Sequence, residues 1–333
     1  MLNELVCWKT IIIMDGSTLN ANTCKVKSPE ALLAWRQQSA ETVAVMTGTF
    51  DILQPGNLHV LQQAGGLAKR VVVVVEPDMV VATHGAPGRP QNSLETRVEM
   101  VSHLRQVAAV TSVTVAEAKS FFEGLKPFIW VTAGTQKKSE AYGEALMPAA
   151  ERVVEVAEQA GCFTADIIAA IAENRTPVKL PAVWVGGARE SQGTPVSVTV
   201  NGCFDILHIG HVRFLAEARA LGDSLTVLIN SDLSVARYKG ETRPVFPQAF
   251  RAAALKALDC VDEVVVFEGD QPLEEIRQLR PQIHVKGGSY EPARVRAERE
   301  LVESWGGRLV CTALVEGFST TEYIKKALGT KTG

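Results

Sequence analysis

The chain of 333 residues contains no apolar run approaching the ~18 residues that a membrane-crossing helix needs. Its apolar opening stretch, Ile11-Ile12-Ile13-Met14, is short, follows Glu4 and ends at Asp15-Gly16, so neither a signal peptide nor a membrane partner is expected. The formal net charge is only −3, which gives no footprint for a nucleic-acid or anionic-membrane binder. Six cysteines, at 7, 24, 162, 203, 260 and 311, are scattered without a C-x-x-C pair. That usage fits reduced thiols and a cytoplasmic location better than a disulfide framework. No H-E-x-x-H stretch occurs either, and two histidines alone do not close a zinc shell, so no metal-ligand set is assigned.

What the chain does have is a strand that turns into a helix through a polar, glycine-bearing loop. Val196, Val198 and Val200 alternate with Ser197 and Thr199, whereas Val212, Leu215, Ala216, Ala218 and Ala220 recur at near-helical spacing. Between them lies Asn201-Gly202-Cys203-Phe204-Asp205-Ile206-Leu207-His208-Ile209-Gly210-His211. A helix start aims backbone N–H groups and the positive end of its dipole at one point, which suits a phosphate. His208 and His211, three apart, can both face that point, and Gly210 removes a side chain from the approach. A surface loop carrying two incidental histidines is the competing reading.

The same loop is written twice. Gly48-Thr49-Phe50-Asp51-Ile52-Leu53-Gln54-Pro55-Gly56-Asn57 repeats it at an offset of 154 residues, which also relates Arg89 to Arg243, Arg97 to Arg251 and Gly134 to Gly288. Near the end the offset slips by two, Gly161 matching Gly317. Each copy alternates β-branched runs with helical patterns. Strands are expected at 43–46, 71–75, 112–115, 128–131 and 153–156 and at 196–200, 224–230, 263–267, 282–286 and 308–312. Helices are expected at 57–68, 92–106, 116–125 and 164–173 and at 210–221, 247–258, 271–279, 291–304 and 320–328, besides one opened by Ser28-Pro29. The expected fold class is α/β: two tandem Rossmann-like, doubly wound parallel-sheet domains over 28–175 and 196–330, joined by a Pro- and Gly-rich linker at 176–195.

Gly-Cys-Phe-Asp-Ile-Leu-His-Ile-Gly-His, followed in order by Asn230-Ser231-Asp232, Lys239-Gly240, Arg243-Pro244, Arg251, Val285-Lys286-Gly287-Gly288-Ser289-Tyr290 and Gly317-Phe318-Ser319-Thr320-Thr321, resembles the signature of the H-x-G-H nucleotidyltransferases, the cytidylyltransferase-like α/β proteins. The Val-Lys-Gly-Gly and Ser-Thr-Thr versions are most similar to the nucleotidyltransferase domain of ADP-heptose synthase, across roughly residues 196–329. The resemblance implies transfer of a nucleoside monophosphate from a triphosphate to a phosphorylated small molecule, with magnesium accompanying the nucleotide. It makes His208, His211, Lys239 and Lys286 catalytic candidates. Gly202, Cys203, Phe204, Asp205, Gly210, Arg251, Gly287, Gly288, Ser319, Thr320 and Thr321 become nucleotide-binding candidates, and Asn230, Asp232 and Arg243 acceptor-binding ones. Cys203 also reads as a small packing residue, Asp232 as a turn former and Ser319-Thr320-Thr321 as a simple N-cap.

Leu314-Val315-Glu316 stands where glycerol-3-phosphate cytidylyltransferases carry an Arg-Thr pair. The resemblance therefore favours ATP and a sugar 1-phosphate such as D-glycero-D-manno-heptose 1-phosphate. A tandem cytidylyltransferase using CTP and ethanolamine phosphate or glycerol 3-phosphate is the second reading, and a non-catalytic nucleotide sensor or scaffold the third. Residues 1–175 repeat the transferase fold rather than supplying a kinase. In that first copy the glycines and apolar positions remain, but His208 and His211 become Gln54 and Asn57, Lys239 becomes Gly85, Lys286 becomes Thr132, and Ser319 and Thr321 become Phe163 and Ala165. A catalytically silent first copy follows, and a homodimer is compatible with the pattern.

Overall fold

The computed structural model describes residues 25–84, 88–133, 142–157, 195–288 and 292–312. They form two five-stranded sheets. In the first, β1 (Val43–Gly48), β2 (Arg70–Val75), β3 (Val107–Thr111), β4 (Ile129–Ala133) and β5 (Arg152–Val156) lie in the order β3-β2-β1-β4-β5. In the second, β6 (Ser197–Gly202), β7 (Ser224–Asn230), β8 (Glu263–Phe267), β9 (Ile283–Gly287) and β10 (Arg308–Thr312) lie in the order β10-β9-β6-β7-β8. Every pairing is parallel. The two orders are the same topology, and even the register repeats: Ala44 faces Ile129 as Val198 faces Ile283. Runs such as Val71 to Val75 are buried because helices cover both sheet faces.

The first sheet carries α1 (Pro29–Gln37), α2 (Pro55–Leu67), α3 (Asp78–His84), α4 (Leu94–Ser102), α5 (Val115–Leu125) and α6 (Gly143–Ala149). The second carries α7 (Ile209–Ala220), α8 (Asp232–Lys239), α9 (Gln248–Lys256), α10 (Leu273–Leu279), a 3-10 turn at Pro292–Val295 and α11 (Arg296–Glu303). Ser28 caps α1 as expected, its Oγ accepting from the Ala31 N–H at 3.2 Å. No described helix is long and apolar enough to cross a membrane.

Three expectations need correction. The strand placed at 112–115 lies at Val107–Thr111, because Thr114 and Glu117 form a reciprocal capping box that starts α5. The helix expected over 92–106 stops at Ser102, because Leu104 makes an antiparallel bridge to Leu258. Three short helices, α3, α6 and α8, went unpredicted. The helices expected at 164–173 and 320–328, the linker up to residue 194 and the apolar 11–14 stretch lie outside the described residues.

The contact between copies has a pseudo-two-fold. The Arg105 N–H donates to the Ala257 carbonyl at 2.7 Å, and the Asp259 N–H donates to the His103 carbonyl at 2.9 Å. Under the 154-residue offset Arg105 corresponds to Asp259 and His103 to Ala257, so the two bonds are one bond repeated. Leu104 and Leu258, the bridged pair, also correspond. α4 packs on α7 and its counterpart α9 on α2. A single apolar cluster runs through both sheets and this junction, containing Leu104, Val101 and Leu61 alongside Leu258, Leu215 and Phe250. Polar ties at its edge are not duplicated: Arg213 of α7 holds Glu99 of α4 through two bonds of 2.8 and 2.6 Å, and Lys25 reaches Asp259 at 2.5 Å.

Candidate active site

The crevice to expect in an open α/β sheet lies at the carboxyl ends of the strands where the order reverses. In the second sheet that is between β6 and β9, and the loop from Gly202 to His208 leaves β6 there. Phe204 sits at φ 46°, as does its counterpart Phe50 at φ 49°, and its ring lies over Gly202, where a Cβ would come within 3.0 Å of it. The turn thus needs a glycine beside the ring. Phe204 then meets the edge of the His211 imidazole at 5.1 Å.

His208 is the N-cap of α7, and its ring does what a cap side chain normally does with oxygen: Nδ1 accepts from the His211 N–H at 3.3 Å. An accepting Nδ1 puts the proton of the neutral ring on Nε2. The two imidazoles stack, with centroids 3.6 Å apart and planes 19° from parallel. Burial lowers the pKa of His208 to about 4. Burial also holds His211 well below its usual value, with the positive charge on His208 and on Lys239 acting in the same direction. The pair is therefore neutral near pH 7, donating without carrying charge. Lys239, at the exposed end of α8, is the cation whose field reaches His211. Gly210 is buried in the first turn of α7.

Lys286, near the end of β9, donates from Nζ to Asn201 Oδ1 at 2.8 Å and to Glu298 Oε1 at 2.9 Å. Gly287 follows, where a Cβ would meet the Phe214 ring at 3.1 Å. Gly288, at φ 115°, donates its N–H to the Thr312 carbonyl at 2.8 Å.

The first copy serves as an internal control on the rest. Arg251 is buried and donates to the carbonyls of Phe246, Cys203 and Asn230 and to Asp232 Oδ1, over 2.7–3.0 Å. Arg97 makes the same four bonds, to Asn92, Thr49, Glu76 and Asp78 Oδ1, each acceptor displaced by the common offset. Equally engaged in both copies, this arginine ties the loop together through the protein's own oxygens. Arg243 repeats this pattern: it is paired with the buried Asp205 at 2.5 Å as Arg89 is with Asp51 at 2.6 Å. Asp205 also accepts from the Phe246 N–H. Asp232 Oδ1 accepts from the Gln248 N–H at 2.7 Å, bracing the start of α9 from 16 residues away rather than forming a local turn. Asn230 donates to Ser234 Oγ, and the Cys203 thiol reaches its Oδ1 at 3.6 Å. Ser319, Thr320 and Thr321 lie outside the described residues.

At the start of α2 the first copy closes the equivalent cradle with its own amides. Gln54 Oε1 accepts from the Gly56 N–H at 2.7 Å, Asn57 Oδ1 accepts from the Gln54 N–H, and Pro55 has no N–H to offer. No described cluster of three His, Cys, Asp or Glu side chains could cage a metal ion, and Asp205 and Asp232 are committed to arginines.

Comparison with known proteins agrees with this division into two copies. The chain is 52% identical over 141 residues to the bifunctional protein HldE of Pelobacter propionicus and, over the same length and identity, to that of Geobacter sulfurreducens; each match covers 42% of this chain and 28% of the relative. The chain thus spans less than a third of the length of these curated relatives. Among solved structures, a lipopolysaccharide core biosynthesis protein from Thermoplasma volcanium aligns over its whole length and 37% of this chain, at 27% identity and a TM-score of 0.33. The Cytidylyltransferase-like family matches twice, over residues 45–155 and 199–326. With one match for each sheet, the chain belongs to the cytidylyltransferase-like family.

Proposed function

We propose that the second copy, within roughly residues 196–330, transfers AMP from ATP to a sugar 1-phosphate of the heptose type and releases pyrophosphate, while the first copy, within 28–175, is silent. The observation carrying this reading is the asymmetry of the two helix starts: His208 and His211 stand ready at one, and the other is closed by Gln54, Pro55 and Asn57. The choice of ATP and a sugar 1-phosphate is supported by the resemblance of the Val285-to-Ser289 and Gly317-to-Thr321 stretches to ADP-heptose synthase and by the HldE relatives.

In such a transfer an acceptor phosphate oxygen attacks the α-phosphorus in line, the bond to the bridging oxygen breaks, and that oxygen leaves on pyrophosphate. The protein's part is positioning and neutralisation. The α7 N-terminus offers backbone N–H groups, and His208 offers Nε2–H, to the phosphates. A triphosphate arriving beside two neutral imidazoles favours their protonated form, so charge on the histidines tracks charge on the substrate. Lys286 and Lys239 add point charges from β9 and α8. Arg251, Arg243 and Asp205 contribute by fixing the loop. Magnesium enters as part of the nucleotide substrate, and the scattered cysteines, with Cys203, Cys260 and Cys311 unpaired, support a cytoplasmic setting.

Pyrophosphate release, measured with ATP and CTP against sugar 1-phosphates, ethanolamine phosphate and glycerol 3-phosphate, tests the assignment. ATP with a heptose 1-phosphate should give the highest kcat/KM. A preference for CTP with an alcohol phosphate would transfer the chain to the tandem cytidylyltransferase reading.

A further inference from the structure

We propose that Glu298 is a positioning residue for the transfer: from α11 it holds the Lys286 ammonium against Asn201 at the β6–β9 crevice. This rests on the proposed role of Lys286. The helix Arg296–Glu303 is otherwise an ordinary charged surface element, with Arg296 paired to Glu300 and Arg299 to Glu303 in exposed (i, i+4) pairs. Glu298 alone among its charged residues is buried, at 1% exposure, on the face that also carries the buried Val302. Its Oε1 accepts from Lys286 at 2.9 Å, while its Oε2 is buried with no donor among the described residues. An apolar side chain would suit that face better, since a buried ion pair contributes little to stability and leaves a half-satisfied carboxylate. The position therefore calls for a reason beyond packing.

The reason lies in what a lysine is. Its charge rides on a flexible four-carbon stem and, unrestrained, follows the nearest anion. Here the ammonium is tied from two elements at once, Asn201 at the end of β6 and Glu298 on α11. The Phe214 ring of α7 lies beside Gly287, the next residue, where a side chain's Cβ would meet it at 3.1 Å. A charge fixed before the nucleotide arrives assists the transition state, in which negative charge moves toward the leaving group, more than it assists ground-state binding. In the first copy, Asn201 and Lys286 are both replaced, by Thr47 and Thr132. The lysine and one of its two anchors, Asn201, are thus missing together from the half whose cradle is closed.

Glu298→Gln keeps the shape and the acceptor oxygen but removes the charge. In the full chain it should lower kcat about tenfold while leaving KM for the nucleotide unchanged or lower. In a Lys286→Met background, itself down about a hundredfold, Glu298→Gln should add nothing, because the residue it positions is gone. Glu298→Gln with unaltered kcat beside a crippled Lys286→Met would overturn the positioning role and leave the functional reading standing. Additive losses would overturn it as well, marking Glu298 as a general packing residue. An active Lys286→Met would remove the basis of both. A measurement independent of turnover uses an amine-acylating reagent and peptide mass spectrometry on the nucleotide-free full chain: Lys286 should label at least about threefold faster in Glu298→Gln, with the exposed Lys119 and Lys126 as references. An unchanged rate would show that the carboxylate does not hold the lysine.

Discussion

His103, His208, His211 and His284 are all shifted by burial toward the neutral form, His208 to about 4 and His284 to about 3. Their unfolded counterparts titrate near 6.5. As pH falls below 6.5 the unfolded chain takes up protons that the folded chain refuses, so stability is complete above that pH and drains toward pH 4. For His208 alone the full difference corresponds to on the order of 3 kcal/mol. The urea midpoint should therefore drop between pH 7 and pH 5, above the range in which ordinary carboxylates titrate. Replacing His208 and His211 by asparagine should flatten that slope, read as the midpoint of fluorescence-monitored unfolding at each pH. A slope identical in both proteins would mean that the cradle histidines are not neutral in the fold. The chemical type of these residues was legible in the sequence, but their charge state was not. Adjacent histidines can be neutral or cationic, and only the stacking and burial decide.

At the scale of elements, α2 and α7 begin at equivalent places with opposite outcomes. His208→Asn with His211→Asn should reduce transfer by more than about 10²-fold. Because asparagine is itself a good N-cap, the fold should survive, so that a circular dichroism spectrum separates lost chemistry from lost structure. Gln54→Ala with Asn57→Ala should leave kcat unchanged and lower stability by about 1 kcal/mol per lost cap. Loss of turnover in that folded variant would mean that the first copy is a working site. The sheets were legible because β-branched runs buried on both faces have no other good conformation. The run at Val113-Thr114-Val115 misled for an instructive reason: Thr114 with Glu117 was a capping signature inside β-branched residues, and the cap prevailed. Arg251 and Arg243 were visible as cations, but the carbonyls and carboxylate that occupy them are brought in from distant segments. Glu298 gave no signal at all, since it sits in a charged run that reads as solvated helix.

At the scale of the whole molecule, the paired bonds between residues 103–105 and 257–259 describe an interface built like that of a symmetric dimer. A fragment beginning within 176–195 exposes the apolar junction around Leu258, Leu215 and Phe250. It should associate with itself, Leu258 meeting Leu258 and the Ala257 carbonyl receiving the Asp259 N–H of a second fragment. Sedimentation should report a concentration-dependent dimer, and Leu258→Asp should keep it monomeric. A fragment that stays monomeric without that substitution would mean that the unduplicated ties, Arg213 with Glu99 and Lys25 with Asp259, dominate the contact.

Joining the halves in one chain changes the arithmetic of that contact. Two separate subunits drift apart on dilution, whereas here the partner is present at a fixed local concentration however little protein there is. Specific activity should therefore stay constant across dilutions at which a true dimer would fall apart. In a true dimer, moreover, every substitution occurs twice, so no subunit can abandon its cradle histidines without its twin doing the same. Once the two faces are encoded separately, a change such as Pro55 at one helix start touches one face only. The asymmetry between a half that supports and a half that reacts is open to a fused pair and closed to an identical one.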